Sequence, residues 1–584
     1  MGMKPMAYVL IRSPMALSQY MGSLLEAKVV AVDTETTGLD PHVDRLRLVQ
    51  IATYGNPVLI MDCFSFLPDG QSMLANILSS GSVKVFQNAK FDLQFFLAQG
   101  ITVRLPLFDT MLAAQLLHTS GGPAKTNLAA LVQHYLQEEL PKEEQKSDWG
   151  RELRIGQLEY AARDAQVLLR LRDAMVPLLL ENRLIEVSRQ EFACVRAVAQ
   201  MEYQGIYLNL EKWDILRKIV EAERNSALDT IYGFTGHRIV QTSMLGDDIS
   251  LDQNLDSNKQ VLSLLHQHGI DVNDTSHHSL APYMNHQLVS ALSEYRRNSK
   301  ALSTFLYPLP EMINPKTNRL HPRYGQNGAW SGRMSCGGPN IQQIPRDAAF
   351  RGCFTAPPGR KLIIADYSQI ELRVAAEIAQ DARMIAAYKA NEDLHRLTAS
   401  LVSGKALSAI TKQDRQAAKA VNFGLIYAMG AKGLQAYAQD TYGLAMSLTQ
   451  AAQFRERFFE AYEGIALWHQ RLRKNPPKES RTLAGRKHIY RGSPGLSGLT
   501  NTPVQGSAAD IVKQALGALV DALVSSSAFI VAMVHDEILI ESDEQNAFDM
   551  AAILKHTMED AGNRYLKSVP AVAEVQVADS WAEK

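Results

Sequence analysis

The hydrophobic positions in the first third of the chain alternate between short apolar runs and longer stretches of helical periodicity. Runs rich in Val, Ile and Leu predict strands at 28–36, 46–54, 57–62 and 83–87. Such runs, bounded by polar or turn-forming residues, are typical of strands. An apolar period near 3.6 predicts a long helix from about Leu158 to Asn182. We therefore expect an α/β unit over about the first 190 residues.

The rest of the chain divides into a mainly helical part, 191–325, and a second part that contains strands. The polar stretch 246–259 within the helical part predicts a loop. Beyond it, strands are predicted at 361–368, 529–534 and 537–542, with a turn at His535-Asp536, helices up to about 473, and a last helix at 546–561. No Pro/Gly linker marks a boundary near 190.

The composition is that of an ordinary globular protein. Of 584 residues 46% are hydrophobic and 21% charged, which excludes a disordered, collagen-like or coiled-coil protein. No apolar run approaches the roughly 18 residues of a membrane span, and the first residues lack the apolar core of a signal peptide. The four cysteines form no Cys-x-x-Cys pair. We expect an intracellular protein of the cytoplasm or nucleoid without membrane contact, and a phage or organelle origin stays open.

The net charge of −1 conceals two basic tracts. The segment from Glu294 to Lys361 contains eleven Lys and Arg and three acidic residues. The segment from Arg471 to Arg491 contains eight Lys and Arg and one acidic residue. Such tracts in a neutral chain indicate surfaces for a polyanion such as nucleic acid. A solvated charged face is the alternative interpretation.

A first group of carboxylates lies in the predicted α/β unit. Asp33 and Glu35 share one face of a strand, because side chains alternate with a period of two. Asp92 lies in a predicted helix, and Tyr160 and Asp164 are four apart on one helical face. Adjacent carboxylates need a cation or a proton, and hard oxygen ligands suit Mg²⁺ or Mn²⁺. The group predicts a two-metal hydrolytic site, with Tyr160 orienting the attacking water, although a polar strand end is the alternative interpretation of Asp33 and Glu35.

The segments DTETTGLDP, NAKFD and YAARD resemble, in this order, the three motifs of the DEDDy 3′–5′ exonucleases. The resemblance implies an RNase H-like fold and removal of nucleotides from a 3′ end. It implies Asp33, Glu35, Asp92 and Asp164 as ligands of two divalent metals.

A second group of carboxylates comes from distant parts of the chain. Asp366 ends an apolar strand, and Asp536 and Glu537 lie at the hairpin turn. A carboxylate at the end of a buried strand costs free energy without a partner. Two of them could hold a metal pair for in-line phosphoryl transfer, although unrelated strand-end aspartates remain the alternative.

The predicted helix between these carboxylates carries a row of four residues at intervals of four: Arg415, Lys419, Phe423 and Tyr427. Such a row stays on one side of a helix. The two cations suit the phosphates of a nucleoside triphosphate, and the two aromatic rings offer its base a stacking surface. A surface helix with core aromatics is the alternative.

The segments DYSQIELR (366–373), RQAAKAVNFGLIYA (415–428) and VHDE (534–537) resemble motifs A, B and C of the family A DNA polymerases. Supporting segments include SGRMSCGGPNIQQIP (331–345) and NTPVQGSAADI (501–511). The resemblance covers nearly the whole chain and is similar to the large, Klenow-like fragment of the bacterial enzymes. It implies proofreading DNA synthesis by a monomer that uses primer-template DNA and dNTPs, with accessory replication proteins as further candidate partners. We expect no 5′ nuclease domain, since 32 residues precede Asp33.

The resemblance implies an α/β multidomain protein in which a right-hand polymerase follows the exonuclease domain. The expected parts are the exonuclease domain at 1–190, the helical thumb at 191–325, the first palm part with motif A at 326–380, the fingers with motif B at 381–475 and the second palm part with motif C at 476–584.

The resemblance also implies residue roles. Asp366 and Asp536 would hold two Mg²⁺ or Mn²⁺ ions with Glu537 assisting, Lys419 would protonate the leaving pyrophosphate, and Glu371 would exclude a 2′-hydroxyl. The nucleotide-binding residues would be Arg415, Lys419, Phe423, Tyr427, Glu371, Gln369 and His395. The DNA-binding residues would be Arg333, Asn340, Asn501, Gln505 and His535. Ala428 stands where the family usually has glycine, so the pivot of the fingers is expected to differ.

Two other classes of function stay open at this point. The chain could be a 3′–5′ exonuclease whose second half only binds DNA, or a non-catalytic primer-template binding module. Extension of a primer with dNTPs excludes the first, and any Mg²⁺-dependent turnover excludes the second. The use of RNA as a template is not decided by the sequence.

Overall fold

The first part of the chain folds around a six-stranded mixed sheet. The computed structural model describes residues 7–67, 69–120, 122–141, 144, 147–235, 255 and 257–584. Across the sheet, the strands follow the order Tyr8–Ile11, Val58–Asp62, Leu46–Ala52, Val29–Thr36, Val83–Phe86 and Leu107–Asp109. Every residue of the strand Leu46–Ala52 is buried, as expected of a strand that is covered on both faces.

Helices pack against this sheet. Their bounds are Pro14–Glu26, Cys63–Phe66, Gln71–Ser79, Ala89–Ala98, Thr110–Leu117, Leu128–Leu136 and Ile155–Glu181. The four strands and the long helix predicted from the sequence are confirmed, while the outer strands Tyr8–Ile11 and Leu107–Asp109 had not been predicted.

The helix Ile185–Gln204 connects the first part of the chain to the last. Its residues Phe192 and Val195 belong to the core of the first part, whereas Val198 and Met201 belong to the core of the last part. Because one helix contributes to both cores, the two parts meet near residue 190 without a Pro/Gly linker.

The middle part is helical, as predicted. Its helices are Leu210–Thr235, Asn258–Gln267, His277–Leu280, Gln287–Ala301 and Pro308–Glu311, with a π-helical turn at Leu302–Leu306. A small core of its own includes Ile231, Leu265 and Leu292. The loop predicted at 246–259 lies mostly outside the described residues, and its last two residues begin the helix Asn258–Gln267.

The last part is built on a four-stranded antiparallel sheet. Its strands follow the order Phe529–Val534, Glu537–Asp543, Arg360–Tyr367 and Ala573–Ala578. The predicted hairpin and the strand of Asp366 are confirmed, while the edge strand Ala573–Ala578 had not been predicted. Three short ribbons pair Ile206–Tyr207 with Arg319–Leu320, Arg323–Gly325 with Ser335–Gly337, and Glu479–Arg481 with Lys487–Ile489.

Helices surround the second sheet and extend away from it. Their bounds are Ala348–Arg351, Ile370–Ala379, Ala382–Lys389, Leu394–Ser403, Lys412–Ile426, Ala431–Tyr442, Leu448–Ala461, Glu463–Lys474, Leu496–Ala522 and Ala547–Asn563. Thr411 and Asp414 form a capping box that fixes the start of Lys412–Ile426. Across the described ranges of the chain, we find no helix with the length and apolarity needed to cross a membrane.

Candidate active sites

The structure brings the first group of carboxylates together beside the C-terminal half of Val29–Thr36, an interior strand of the six-stranded sheet. Asp33 and Glu35 lie on the strand Val29–Thr36, and Asp92 lies in the first turn of the helix Ala89–Ala98. Tyr160 and Asp164 come from the long helix Ile155–Glu181. All five residues predicted for this site therefore face one another.

The carboxylates of this group strongly perturb one another. Burial, together with the charges of Asp92, Glu35 and Asp164, raises the pKa of Asp33 well above its ordinary value. Burial raises the pKa of Asp92 to about 7 and that of Asp164 to about 7. Burial and the neighbouring Asp164 raise the pKa of Tyr160. A site with this much uncompensated negative charge favours a cation.

Two polar side chains that the sequence analysis missed hold Asp92 in place. The hydroxyl of Thr34 donates a hydrogen bond to Asp92 Oδ1 at 2.6 Å. The buried Asp109 carboxylate accepts a hydrogen bond from the backbone N–H of Ala89 at 2.8 Å, and so fixes the start of the helix that carries Asp92. Capping through a residue 20 positions away leaves no local mark in the sequence.

The second group of carboxylates meets at the end of the four-stranded sheet. Asp366 and Glu537 are register partners on adjacent strands, and the backbone N–H of Tyr367 donates to the carbonyl of Asp536 at 3.4 Å. Burial and the charge of Asp366 raise the pKa of Asp536 to about 7. A cavity of about 320 Å³ opens beside them.

Three residues that the sequence analysis did not single out surround these carboxylates. The Lys584 ammonium donates to Asp366 Oδ2 at 2.5 Å and to Glu537. The indole N–H of Trp581 donates to Glu537, and Arg351 lies 3.4 Å from the same carboxylate. Glu537 is 4% exposed and has three donors, so it acts as an anchor within the sheet.

Glu371 connects the second group of carboxylates to three other predicted site residues. Its carboxylate accepts hydrogen bonds from Arg333 and from the hydroxyl of Tyr427, and Gln505 contacts the same hydroxyl. Burial and Glu371 raise the pKa of Tyr427. The structure thus joins residues predicted to touch sugar, base and primer in one network.

The predicted triphosphate-binding residues lie on the helix Lys412–Ile426 and the neighbouring helix Leu394–Ser403. Arg415 is paired with Asp393 at 2.6 Å. His395 is buried and contacts Asn422 at 2.8 Å, and burial lowers its pKa to about 4. The rings of His395 and Phe423 are 6.0 Å apart, and the charge of Lys419 reaches His395. The row of Arg415, Lys419 and Phe423 thus lies on one helix beside His395. Tyr427, the last residue of the row, lies just beyond the end of that helix.

The remaining predicted residues are placed by local structure. Asn340 caps a short 3₁₀ turn, Ile341–Gln343. Gln369 accepts a hydrogen bond from the hydroxyl of Tyr388 at 3.2 Å, and Asn501 lies in the helix Leu496–Ala522 with its side-chain oxygen buried. His535 follows Val534 in the hairpin turn with a left-handed φ of 61°. None of these contacts tests the predicted binding of DNA.

Ion pairs within the fold occupy part of the charge of both basic tracts. Six of the eleven cations of the first tract form ion pairs, namely Arg297, Arg319, Arg333, Arg351, Arg360 and Lys361. In the second tract, Arg471, Arg473, Lys474, Lys478 and Arg491 make no ion pair within the described ranges. The expectation that both tracts contact phosphates stays a prediction.

The carboxylates of both sites fit divalent metals by chemistry and burial. The oxygens Asp164 Oδ1 and Asp366 Oδ1 are buried and accept no hydrogen bond from the described residues. The ammonium of Lys584 already provides a positive charge between Asp366 and Glu537. Within the same residues, no group of three or more His, Cys, Asp or Glu side chains is arranged to hold a metal ion.

Comparison with known proteins finds relatives of both parts of the chain. A family model described as DNA polymerase family A matches residues 237–583, and a model described as 3′–5′ exonuclease matches residues 8–180. The chain is 36% identical over 580 residues to DNA polymerase I of Aquifex aeolicus, covering 94% of this chain and 95% of that protein. It is 30% identical to DNA polymerase I of Pseudomonas aeruginosa, with 99% of this chain and 66% of that protein covered.

A solved structure resembles the whole chain. It is the POL domain of Pol1 from M. smegmatis in complex with DNA primer-template and dNTP. The TM-score is 0.80 at 25% identity, and the match covers 98% of this chain and 99% of that one.

Proposed function

Because the chain belongs to the family A DNA polymerases and carries a 3′–5′ exonuclease domain, we propose that its two carboxylate sites perform its two reactions. At the site of Asp366 and Asp536, a primer 3′-hydroxyl attacks the α-phosphorus of a dNTP, and pyrophosphate leaves. At the site of Asp33, Glu35, Asp92 and Asp164, water cleaves the last phosphodiester of a mispaired 3′ end. The separation of the carboxylates into two groups supports this proposal.

The proposed metal ligands are Asp366 and Asp536 in the polymerase site and Asp33, Glu35, Asp92 and Asp164 in the exonuclease site. Divalent ions bound there would lower the pKa of an attacking oxygen and stabilise the leaving oxygen. Glu537, held by Trp581 and Arg351, keeps the hairpin turn in place. Tyr160 beside Asp164 orients the attacking water.

Nucleotide selection is assigned to the network of Glu371. Its carboxylate would occupy the space of a 2′-hydroxyl, and Arg333 and Tyr427 hold it in position. Arg415, Lys419 and His395 would bind the triphosphate, with Lys419 donating a proton to pyrophosphate. Primer-template contacts are assigned to Arg333, Asn340, Asn501, Gln505 and His535. The helix Lys412–Ile426, which ends directly before Tyr427, would close the site on a matched dNTP.

The test is gel-resolved extension and degradation of a labelled primer on a DNA template with Mg²⁺. Asp536→Asn keeps the shape of the side chain and removes its charge. We expect it to reduce extension roughly a hundredfold or more and to leave trimming of a mismatched end intact. Asp33→Asn is the matched control at the other site and should do the reverse.

The outcomes separate the alternatives. Extension retained in Asp536→Asn would contradict the assignment of the polymerase site. Trimming by the wild type without any extension would favour an exonuclease whose second half only binds DNA.

A further inference from the structure

A large cleft separates the exonuclease part from the polymerase part. Its volume is about 780 Å³. One wall is formed by residues within 115–119 and 123–126, and the other by residues within 327–332 and 486–491. Thr119 bridges the two walls by donating to the carbonyl of Lys487 at 3.4 Å. The cleft is therefore built by both catalytic parts of the chain.

An exposed aromatic group lines the polymerase wall. Trp330 is 59% exposed, although its indole is large and apolar. Its ring lies 5.2 Å from that of His488, which in turn lies 4.9 Å from the ring of Tyr490. Base–aromatic stacking is the interaction by which proteins commonly bind single-stranded nucleic acid.

The turn that carries Trp330 is held firmly in place. The backbone N–H of Gly332 donates to the carbonyl of Ala329 at 2.9 Å, and that of Ala329 donates to Arg333 at 3.1 Å. The Arg486 side chain packs so closely on Gly332 that a Cβ there would lie 2.6 Å from its Nε. Trp330 is therefore presented on a fixed backbone, which reduces the entropy lost on binding.

The charge of the cleft suits a polyanion. Arg486, Lys487 and Arg491 are among the residues that line it, and none of the lining residues is acidic. Arg486 and Lys487 are paired with carboxylates behind the wall, whereas Arg491 has no such partner in the described part of the chain. Arg491 thus offers a positive charge beside the aromatic group.

The cleft lies between the two proposed active sites. Arg333, three residues from Trp330, contacts Glu371 of the polymerase site. On the other side, Asn327 contacts Gln115 at 3.3 Å. Both of these residues also line a smaller cavity with Asn88 and Lys90, at the start of the helix that carries Asp92.

We propose that Trp330, with His488 and Tyr490 behind it and Arg491 beside it, forms a stacking site for the unpaired 3′ end of a primer that passes between the two active sites. The inference rests on the proposed function, since it needs a polymerase site and an exonuclease site. The bases stack on the indole, and the phosphates face the basic wall.

The first test measures binding of fluorescein-labelled oligo(dT) in EDTA by fluorescence anisotropy. Trp330→Ala should weaken binding roughly fivefold or more, while Trp330→Phe should stay close to wild type because it keeps a stacking ring. Phe548→Ala is the matched control, because Phe548 is 79% exposed on the helix Ala547–Asn563 and does not line the cleft. Equal binding by wild type and Trp330→Ala would overturn the proposal.

The second test distinguishes whether the stacking site binds the primer strand or the template strand. We expect Trp330→Ala to slow removal of a primer end with three unpaired nucleotides roughly fivefold or more, and to extend a matched primer at the wild-type rate. Slower extension only on templates with a long single-stranded overhang would assign the stacking site to the template and overturn the proposal. A wild type that neither extends nor trims would instead contradict the proposed function.

Discussion

Lys584 shows what residue-level sequence analysis cannot find. Asp366, Asp536 and the exonuclease carboxylates are found by sequence because each lies in a local motif. Lys584 reaches Asp366 across 218 positions, and no pattern in the chain connects them. The same is true of Trp581 and Glu537, which are 44 positions apart. Contacts of this kind depend on the edge strand Ala573–Ala578 that places the last residues against the site.

Lys584→Met should lower the thermal stability of the metal-free protein and raise its affinity for metal. In EDTA the variant loses the cation between Asp366 and Glu537, so its thermal midpoint should fall below that of the wild type. In titrations with Mn²⁺ followed by electron paramagnetic resonance, it should bind metal several-fold more tightly, since no ammonium has to leave. Lys567→Met, at an exposed lysine, is the control. Unchanged midpoint and unchanged Mn²⁺ affinity would contradict a role for Lys584 at this site.

Glu371→Ala should relax selection against ribonucleotides. The substitution empties the space assigned to the 2′-hydroxyl and releases Arg333 and Tyr427. We expect the preference for dNTPs over rNTPs, measured as a ratio of kcat/KM, to fall roughly tenfold or more. Glu371→Gln keeps the size of the side chain and should retain most of the preference. An unchanged ratio in the alanine variant would contradict the assignment.

At the scale of elements, the sequence predicted long or strongly apolar segments and missed short edge strands. The strand Leu46–Ala52 is buried throughout and was predicted almost to the residue. Tyr8–Ile11 has four residues and Leu107–Asp109 has three, too few for a periodicity to emerge. Both take their structure from pairing with a neighbouring strand.

Ala428→Gly should stabilise the end of the helix Lys412–Ile426. Ala428 has a φ of 62°, a conformation that glycine adopts more readily, and the expected difference in the pivot of the fingers stays a prediction. A left-handed alanine is strained by roughly 1–2 kcal/mol, and part of the gain from glycine is offset by its freer unfolded state. We expect an increase in the free energy of unfolding of up to about 1 kcal/mol from urea midpoints. Ala436→Gly, inside the helix Ala431–Tyr442, should instead destabilise by about 0.5–1 kcal/mol. If the free energy of unfolding changed in the same direction in both variants, backbone strain at Ala428 would be ruled out as the explanation.

At the scale of the whole molecule, a buried ion network ties the exonuclease part to the polymerase part. Glu191, on the shared helix Ile185–Gln204, accepts a hydrogen bond from Lys513 at 2.6 Å and another from Arg486. Arg486 also binds Asp510 at 2.7 Å. The sequence separations exceed 290 residues for both partners of Glu191, so only the assembled fold could reveal the network.

Glu191→Ala should destabilise the molecule by about 3–5 kcal/mol, because it leaves the buried Lys513 without its carboxylate partner and Arg486 with Asp510 alone. Burial opposes ionisation of Glu191, but Lys513 and Arg486 hold its pKa below the ordinary value. A lowered pKa stabilises the fold above the ordinary value near 4.5 and loses this contribution as pH falls through the folded pKa. The difference in urea midpoint between wild type and variant should therefore be largest at pH 7 and shrink below about pH 4.5. Glu186→Ala, at an exposed pair on the same helix, should cost under about 1 kcal/mol at every pH. A Glu191→Ala effect as small as that of Glu186→Ala would show that the network does not hold the two parts together.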